Sequence, residues 1–385
     1  MKLIPELLKE ALKEALRCTG LPAEPEPVVS PTNDERFGDY QSNVAMTLAK
    51  RLKANPRELA QRVISALSIE TLASVDLAGA GFINFRLQTR ALADRVLALQ
   101  SDPRLGVAIV PEPRRIVLDF SSPNIAKPMH IGHIRSTVLG DCLARIARFL
   151  GHTVITDNHV GDWGTQFGKV IYGWKTELDR KALEEDAVGE MVRLYRTINA
   201  AATADPVVEE ACRAELVKLQ QGDEENLSIW RECIALSRGE FEEIYRILDV
   251  TFDHWLGESF YNDRLAPLVA RLEREGIAQE SEGALCVFFP EDAALADKPC
   301  LVRKRDGGFL YATTDLATID FRVEEWKADA IWYVVGAPQQ LHLAQVFATA
   351  RRIGHTVELH HIAFGSILGE DRKLMKTRSG ENVAD

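Results

Sequence analysis

Two histidines flank a glycine where a loop meets a predicted helix. His130, Gly132 and His133 lie at the end of the segment SSPNIAKPMHIGH, residues 121–133. Backbone N–H groups at a helix N-terminus favour anions, and imidazoles add donors suited to phosphate oxygens. Gly132 has no side chain, which leaves room for a planar base beside the backbone. The combination indicates a nucleotide site; the alternative is a polar loop that only caps a helix.

The elements around this loop predict half of a doubly wound sheet. Residues 115–120, RIVLDF, form a short apolar run rich in β-branched residues, typical of a buried parallel strand. Residues 133–150 carry one apolar helix face, at 134, 138, 139, 142, 143, 146, 149 and 150, and the next strand is predicted at 153–156. Together they predict a βαβ unit. Further strands are predicted at 284–289, 309–312, 330–335 and 361–364, as the second half of the same sheet.

Composition divides the chain near residue 110. Residues 1–110 contain an amphipathic helix at 4–16, a Pro-rich hinge, a helix at about 43–52 and the alternating strand GFINFRL, which predict an α+β domain. Residues 111–385 hold the parallel sheet, interrupted at about 176–250 by an acidic helical insertion. The expected fold class is therefore α/β: a Rossmann-like parallel-sheet domain with a helical insertion, preceded by a small α+β domain.

Charge and composition exclude several classes of protein. The chain of 385 residues is 46% hydrophobic and 27% charged, which is typical of globular proteins and excludes disorder as the main state. Its net charge of −11 argues against binding to nucleic acid. The acidic residues are concentrated in 176–250, however, so the N-terminal half could still bind a polyanion. Six cysteines form no CxxC pair and no zinc-like cluster. No apolar run approaches the ~18–20 residues that span a bilayer, and we expect a cytoplasmic protein.

Long stretches around these residues match one enzyme family. They are FGDYQSNVAM (37–46), GAGFINF (79–85), SSPNIAKPMHIGHIRSTVLGD (121–141), NHVGDWGTQFG (158–168), YATTDLATIDFR (311–322), VVGAPQQLH (334–342) and AFGSILGEDRKLMKTRSG (363–380). In this order the chain resembles the arginyl-tRNA synthetases, which are class I aminoacyl-tRNA synthetases with a HIGH motif. The resemblance implies that L-arginine is activated with ATP to arginyl-adenylate and transferred to tRNA(Arg), with Mg²⁺ as the companion of ATP.

The resemblance also implies roles for the nucleotide-site residues. His130, Gly132 and His133 would bind ATP and stabilise charge on the α-phosphate as the arginine carboxylate attacks it. The second signature of the class, KMSKS, is degenerate here and would form a mobile cationic loop over the triphosphate; it comprises Met375, Lys376, Thr377, Arg378, Ser379 and Gly380. Its second lysine is missing, and Lys127 stands where relatives compensate for that loss. Positioned cations suffice to stabilise a departing pyrophosphate.

An amino-acid pocket follows from the same resemblance. A guanidinium is a planar fork that pairs best with carboxylates. Asp119 and Asp315 match the positions that face the guanidinium, with Tyr311 beside them. The α-amino and carboxylate groups would be held by Asn124 and Gln339, and the same substrate-binding set includes Ser121 and His133.

Two further segments match positions outside this pocket. Asn84 in GFINF falls where the family's N-terminal domain contacts the tRNA D-loop. Asp162 and Trp163 in GDWG are expected to shape a turn beside the pocket.

The sequence departs from the family at its end. Arginyl-tRNA synthetases continue with a helical anticodon-binding domain, which these 385 residues lack. We therefore expect a shortened form of low activity, and a monomer. Three interpretations stay open: the N-terminal and catalytic part of a genuine synthetase, an arginyl-adenylate-forming paralogue that serves a non-tRNA acceptor, and a non-catalytic relic that binds tRNA or another partner. The intact HxGH and the two carboxylates argue against the relic.

Overall fold

Residues 1–365 are described by a computed structural model. The chain divides into two units, Met1–Ile109 and Val110–Asp385. In the part of the chain that the structure covers, no helix combines the length and the apolar character of a membrane span.

The first unit is an antiparallel sheet covered by helices. Its helices are α1 (Ile4–Cys18), α2 (Val44–Leu52), α3 (Pro56–Ala66) and α4 (Thr89–Gln100), and its strands are β1 (Ser30–Pro31), β2 (Tyr40–Ser42), β3 (Ala73–Ala78) and β4 (Phe82–Leu87). The strand order is β1-β2-β4-β3. Leu8, Leu12 and Leu16 lie on one stripe of α1 and are fully buried with Ile83 and Phe85 of β4. The core is therefore formed where the amphipathic face of α1 meets the sheet.

The second unit is built on a parallel sheet. Its first elements are β5 (Arg115–Asp119), α5 (Ile131–Phe149) and β6 (Thr153–Asp157); the helices α6 (Gln166–Glu177), α7 (Arg180–Glu185), α8 (Ala187–Ala204), α9 (Pro206–Gln220), α10 (Glu224–Leu248) and α11 (Asn262–Arg274) follow. The remaining elements are β7 (Gln279–Ser281), β8 (Ala284–Val287), β9 (Cys300–Arg303), α12 (Tyr311–Glu324), β10 (Ala330–Tyr333), α13 (Gln340–Ile353) and β11 (Glu358–His361). The sheet order is β11-β10-β5-β6, and every neighbouring pair is parallel.

This architecture confirms the predicted α/β fold class, but two predicted strands do not belong to the parallel sheet. Residues 284–287 form β8, which lies in a separate antiparallel sheet between β7 and β9. The backbone reverses at Glu282 and Gly283, both with positive φ, as a two-residue hairpin requires. The strand predicted at 309–312 is wrong: Phe309 forms only an isolated antiparallel bridge with Arg303, Leu310 is the N-cap of α12, and the helix begins at Tyr311.

The buried face of α5 also differs from the one that the apolar residues predict. Its large apolar residues Val138, Leu139, Ile146 and Phe149 are exposed. The side that faces the sheet is made of small residues, namely Ser136, Thr137, Gly140, Ala144 and Ala147. A Cβ at Gly140 would lie 2.1 Å from Cγ of Phe120, so the close approach of α5 to the end of β5 requires the absence of a side chain there.

Candidate active site

The site lies at the carboxyl ends of the parallel strands. The register pairs Asp119 of β5 with Asp157 of β6 on one side and with Tyr333 of β10 on the other. The next strand in the sequence, β6, lies on one side of β5, and the later strand β10 lies on the other. The strand order therefore reverses at β5, and α/β sheets bind ligands at such a switch point. A cavity of about 370 Å³ opens here. It is lined by Asp119, Ser121, Ser122, Asn124, Ser136, His159, Gly161, Glu258, Tyr311, Thr314, Asp315, Tyr333, Val334, Val335, Gln339, His342 and Leu343.

A buried arginine lies beneath this cavity. Arg322 of α12 is fully buried, and its Nη2 donates to Oδ2 of Asp119 at 2.7 Å and to Oδ2 of Asp157 at 2.8 Å. Burial opposes the charge of Arg322, but Asp119 and Asp157 raise its pKa well above the usual value. The other oxygen of Asp119 accepts a 3.1 Å hydrogen bond from Oγ of Ser122. Asp119 therefore lines the cavity with both of its oxygens already bound within the protein.

The loop after β5 has an unusual backbone that aims it at the cavity. Ser121 and Ser122 both have positive φ, at 71° and 49°, a conformation that residues other than glycine rarely adopt. Ser121 is held there because its Oγ lies 2.6 Å from the Tyr245 hydroxyl and accepts from Oγ1 of Thr137 at 2.8 Å. Asn124 is exposed and contacts Gly161, where a Cβ would lie 2.4 Å from its Oδ1. The two predicted ligands of this loop, Ser121 and Asn124, thus both line the cavity.

The two histidines form the N-terminal cap of α5. The N–H of Gly132 donates to Nδ1 of His130 at 3.1 Å, and the N–H of His130 donates to Nδ1 of His133 at 3.2 Å. Because both Nδ1 atoms accept, each neutral ring carries its proton on Nε2. Burial lowers the pKa of His130, and burial, His130 and Lys127 lower the pKa of His133 to about 3. At neutral pH the pair thus offers two uncharged N–H donors at a helix N-terminus.

The opposite wall of the cavity comes from α12 and the start of α13. Tyr311 and Asp315 lie one turn apart on α12, on the same face. Gln339 precedes α13 and His342 lies in its first turn; Nε2 of His342 is 2.5 Å from Oδ2 of Asp315. Tyr311, Asp315 and Gln339, all predicted from the sequence, are therefore brought together with His342, which was not singled out.

Sequence analysis also missed Glu258. This residue precedes α11 and enters the cavity from a segment, WLGESFY, with no helical or strand periodicity to mark it. Its position depends on Asp162, whose carboxylate accepts from the N–H of Ser259 at 2.8 Å and from the hydroxyl of Ser259 at 2.6 Å. Burial raises the pKa of Glu258 to about 7. Asp162 thus shapes the pocket wall, in agreement with the structural role expected for the GDWG turn.

The lining residues define what the cavity can bind. They include three carboxylates, Asp119, Glu258 and Asp315, and neither lysine nor arginine. Among residues 1–365, no hydrogen bond or ion pair engages the carboxylate of Glu258, and His342 alone engages that of Asp315. A cationic group is therefore favoured in the cavity, while the amides of Asn124 and Gln339 offer neutral donors and acceptors there.

The remaining predicted residues lie elsewhere. Lys127 is exposed, with its Nζ 6.0 Å from the centre of the Tyr195 ring. Asn84 belongs to the first unit, where it is buried in β4. The residues of the second signature lie outside the described part of the chain; they are Met375, Lys376, Thr377, Arg378, Ser379 and Gly380.

Comparison with known proteins identifies the family. The protein-family model described as tRNA synthetases class I (R), catalytic domain, matches residues 96–384. The family model of the arginyl-tRNA synthetase N-terminal domain matches residues 3–87. The chain belongs to the arginyl-tRNA synthetase family. Arginine–tRNA ligase of Thermosynechococcus vestitus is 44% identical over 392 residues, which are 100% of this chain and 66% of that protein. Arginine–tRNA ligase of Thermobifida fusca is 46% identical over 365 residues, covering 93% of this chain and 63% of that protein.

Solved arginyl-tRNA synthetases share the fold. The Plasmodium falciparum enzyme superposes with a TM-score of 0.73 at 26% identity, over 96% of this chain and 66% of that one. The Thermus thermophilus enzyme, at 22% identity, supports the fold alone; its TM-score is 0.70 over 97% of this chain and 67% of that one. The chain thus spans 66% and 62% of the length of the first two curated synthetases it matches.

Proposed function

We propose that this chain activates L-arginine with ATP to arginyl-adenylate and passes the arginyl group to tRNA(Arg). The observation that carries the proposal is a cavity rich in carboxylates that is lined by Ser136 of α5, the helix whose N-terminus carries the two histidines. The cavity suits a cationic amino acid, and the helix N-terminus suits a phosphate. The family supports the same assignment.

In the proposed reaction, the side chain of arginine enters between Glu258 and Asp315, beside Tyr311 and above Asp119. A carboxylate oxygen of arginine forms a bond to the α-phosphorus of ATP. The bond from that phosphorus to the bridging oxygen breaks, and pyrophosphate leaves with the electron pair. The Nε2–H groups of His130 and His133 donate to the phosphate oxygens as charge develops, and Lys127 supplies the positive charge.

The companions of this reaction are also proposals. Mg²⁺ would arrive with ATP and be held by the phosphates and water, as is usual for this ion. Residues 1–365 hold no group of three His, Cys, Asp or Glu side chains that could bind a metal ion, so no step above depends on a dedicated ligand set. We further propose that the chain acts as a cytoplasmic monomer.

Binding of tRNA is assigned to the first unit as well as to the catalytic sheet. Asn84 borders a small cavity of about 130 Å³ together with Arg36, Phe37, Asp76 and Arg86. Its buried Oδ1 has no hydrogen-bond partner. An unpaired amide beside an exposed aromatic ring and two arginines suits an unstacked base. The Asn84→Ala variant should bind tRNA(Arg) more weakly in a filter assay while its circular dichroism stays unchanged; equal affinity would remove Asn84 from the tRNA contact.

The decisive experiment for the function is calorimetry with L-arginine and L-lysine on the 385-residue chain. We expect arginine to bind more tightly than lysine. The ammonium of lysine is a point charge and cannot form the paired hydrogen bonds that a planar guanidinium forms with a carboxylate. Asp315→Asn should weaken arginine binding by about 2–4 kcal/mol, since a desolvated guanidinium loses a counter-charge. The control is Asp320→Asn, the same change further along α12 at a residue that pairs with Arg271 outside the cavity. Absence of arginine binding by the wild-type chain would refute the proposal.

Activation itself is measured by arginine-dependent exchange of pyrophosphate into ATP, with and without tRNA. Pyrophosphate exchange without any charging of tRNA(Arg), even at raised tRNA concentration, would favour a non-tRNA acceptor. Anticodon-substituted tRNA shows whether charging by residues 1–385 depends on the anticodon.

A further inference from the structure

Asp315 is the carboxylate of the cavity whose orientation depends on one neighbour. Its side chain is 22% exposed, and its Oδ2 lies 2.5 Å from Nε2 of His342, which is itself 29% exposed. The hydrogen bond to Asp315 raises the pKa of His342 against the opposing effect of burial. The two residues come from different helices, α12 and α13, so the contact exists only in the folded chain.

Two other aspartates nearby are each held by two groups. Asp119 accepts from Arg322 and Ser122, and Asp320, further along α12, is bound by Arg271 and His355. Within residues 1–365, His342 is the one side chain hydrogen-bonded to Asp315. Since the χ2 torsion of an aspartate is broad, removal of this single bond would leave the carboxylate free to turn.

The start of α13, which carries His342, is anchored by contacts of its own. The next residue, Leu343, is buried in the core of the second unit. One turn later, Nε2 of Gln345 donates to the carbonyls of Lys298 and Pro299, at 3.1 and 3.0 Å. The first turn of α13 is thereby fixed independently of the contact with Asp315, and His342 can act as a fixed donor.

Orientation matters more for a guanidinium than for an ammonium. A guanidinium donates from a planar fork, so its contact with a carboxylate weakens when the carboxylate plane turns. An ammonium is a compact charge with rotatable donors and tolerates the same turn. A fixed carboxylate thus contributes to selectivity as well as to affinity.

We propose that His342 is a positioning residue, which holds Oδ2 of Asp315 so that the carboxylate meets the cavity in the plane that a guanidinium requires. This inference rests on the proposed arginine specificity. It assigns to His342 an effect on both arginine affinity and discrimination against lysine, exerted through the orientation of Asp315.

The test compares His342→Gln with His342→Asn by calorimetry, at a pH at which the wild-type imidazole is neutral. The amide nitrogen of Gln reaches the position of Nε2, whereas that of Asn stops short of it. We expect the Gln variant to bind arginine within about twofold of the wild type. The Asn variant should bind about tenfold more weakly, the usual effect of losing one charge-assisted hydrogen bond, while lysine binding changes little. ATP affinity and the melting temperature serve as controls and should match in the two variants.

A double-mutant cycle separates positioning from a general structural effect. In the Asp315→Asn background, His342→Asn should cause no further loss of arginine affinity, because its route to the ligand is already broken. The role of His342 would be overturned if Asp315→Asn and His342→Asn each lowered arginine affinity and their effects added in the double variant. Equal arginine binding by the Gln and Asn variants would overturn it too. Such results, obtained while wild-type arginine binding is intact, leave the proposed function standing; failure of the wild type to bind arginine refutes the function itself.

Discussion

Arg322 donates a 2.7 Å hydrogen bond to Asp119, although 203 positions separate the two residues in the sequence. The same guanidinium nitrogen reaches Asp157, so one positive charge faces two buried carboxylates. The floor of the cavity consequently keeps a net negative charge in a region without lysine or other arginine among its lining residues. A cationic substrate would complete the charge balance.

Replacement of Arg322 should destabilise the fold strongly. Arg322→Met would leave Asp119 and Asp157 buried without a counter-charge, which commonly costs about 3–5 kcal/mol. The measurement is the free energy of unfolding in urea. Arg271→Met is the control, because Arg271 pairs with Asp320 at a more exposed position, with 28% of its side chain accessible. A loss at Arg322 no larger than that at Arg271 would contradict this account of the buried cluster.

Substitution by alanine should have opposite effects on stability at Gly140 and at Gly239. Gly140→Ala would place a Cβ 2.1 Å from Phe120, and such overpacking costs about 1–3 kcal/mol. Gly239 lies in α10 with nothing within 4 Å of the position that a Cβ would take, so Gly239→Ala should stabilise by up to about 1 kcal/mol through helix propensity. Thermal unfolding of both variants tests the pair, and a stable Gly140→Ala protein would show that α5 is free to move away from β5.

The pH dependence should report on Glu258. Burial raises its pKa to about 7 from the usual 4.5, so the folded protein binds this proton more tightly than the unfolded chain does. Its contribution to the stability of the free protein is therefore full below pH 4.5 and is lost as the pH rises through about 7. If Glu258 faces the guanidinium as proposed, arginine affinity should rise over the same interval, because the carboxylate is ionised there.

Glu258→Gln separates this group from the histidines nearby. The variant should reduce the slope of both melting temperature and arginine affinity between pH 4.5 and about 7. Identical pH profiles for the variant and the wild type would mean that Glu258 is not the titrating residue.

Lys127 should affect rate more than binding. In the proposed reaction its charge acts as pyrophosphate leaves, so Lys127→Ala should slow adenylate formation by about a hundredfold, as loss of one electrostatic contact commonly does, with arginine affinity nearly unchanged. Lys181→Ala, at a side chain that is 84% exposed on α7, is the matched control. Equal losses of rate and arginine affinity would contradict the role.

Local sequence determined much of the framework. The β-branched run before Phe120 forms β5, the segment after His130 forms α5, and the strand predicted from Thr153 forms β6, since short-range periodicity governs each of them. The HxGH motif likewise marked the cap of α5, because the histidines bind backbone groups within three residues of themselves. Local interactions of this kind are readable from spacing alone.

Only the tertiary structure decided which polar groups meet. The apolar pattern of α5 did not indicate that its small residues face the sheet, because that depends on how closely Phe120 approaches. Glu258 is positioned because its neighbour Ser259 binds Asp162, which lies 97 positions away, and Arg322 reaches Asp119 across 203 positions. Pairings between distant segments depend on the register of the sheet and on loop closure, which no local pattern encodes. For that reason spacing located the histidine cap of α5, whereas the charge arrangement of the cavity emerged from the fold.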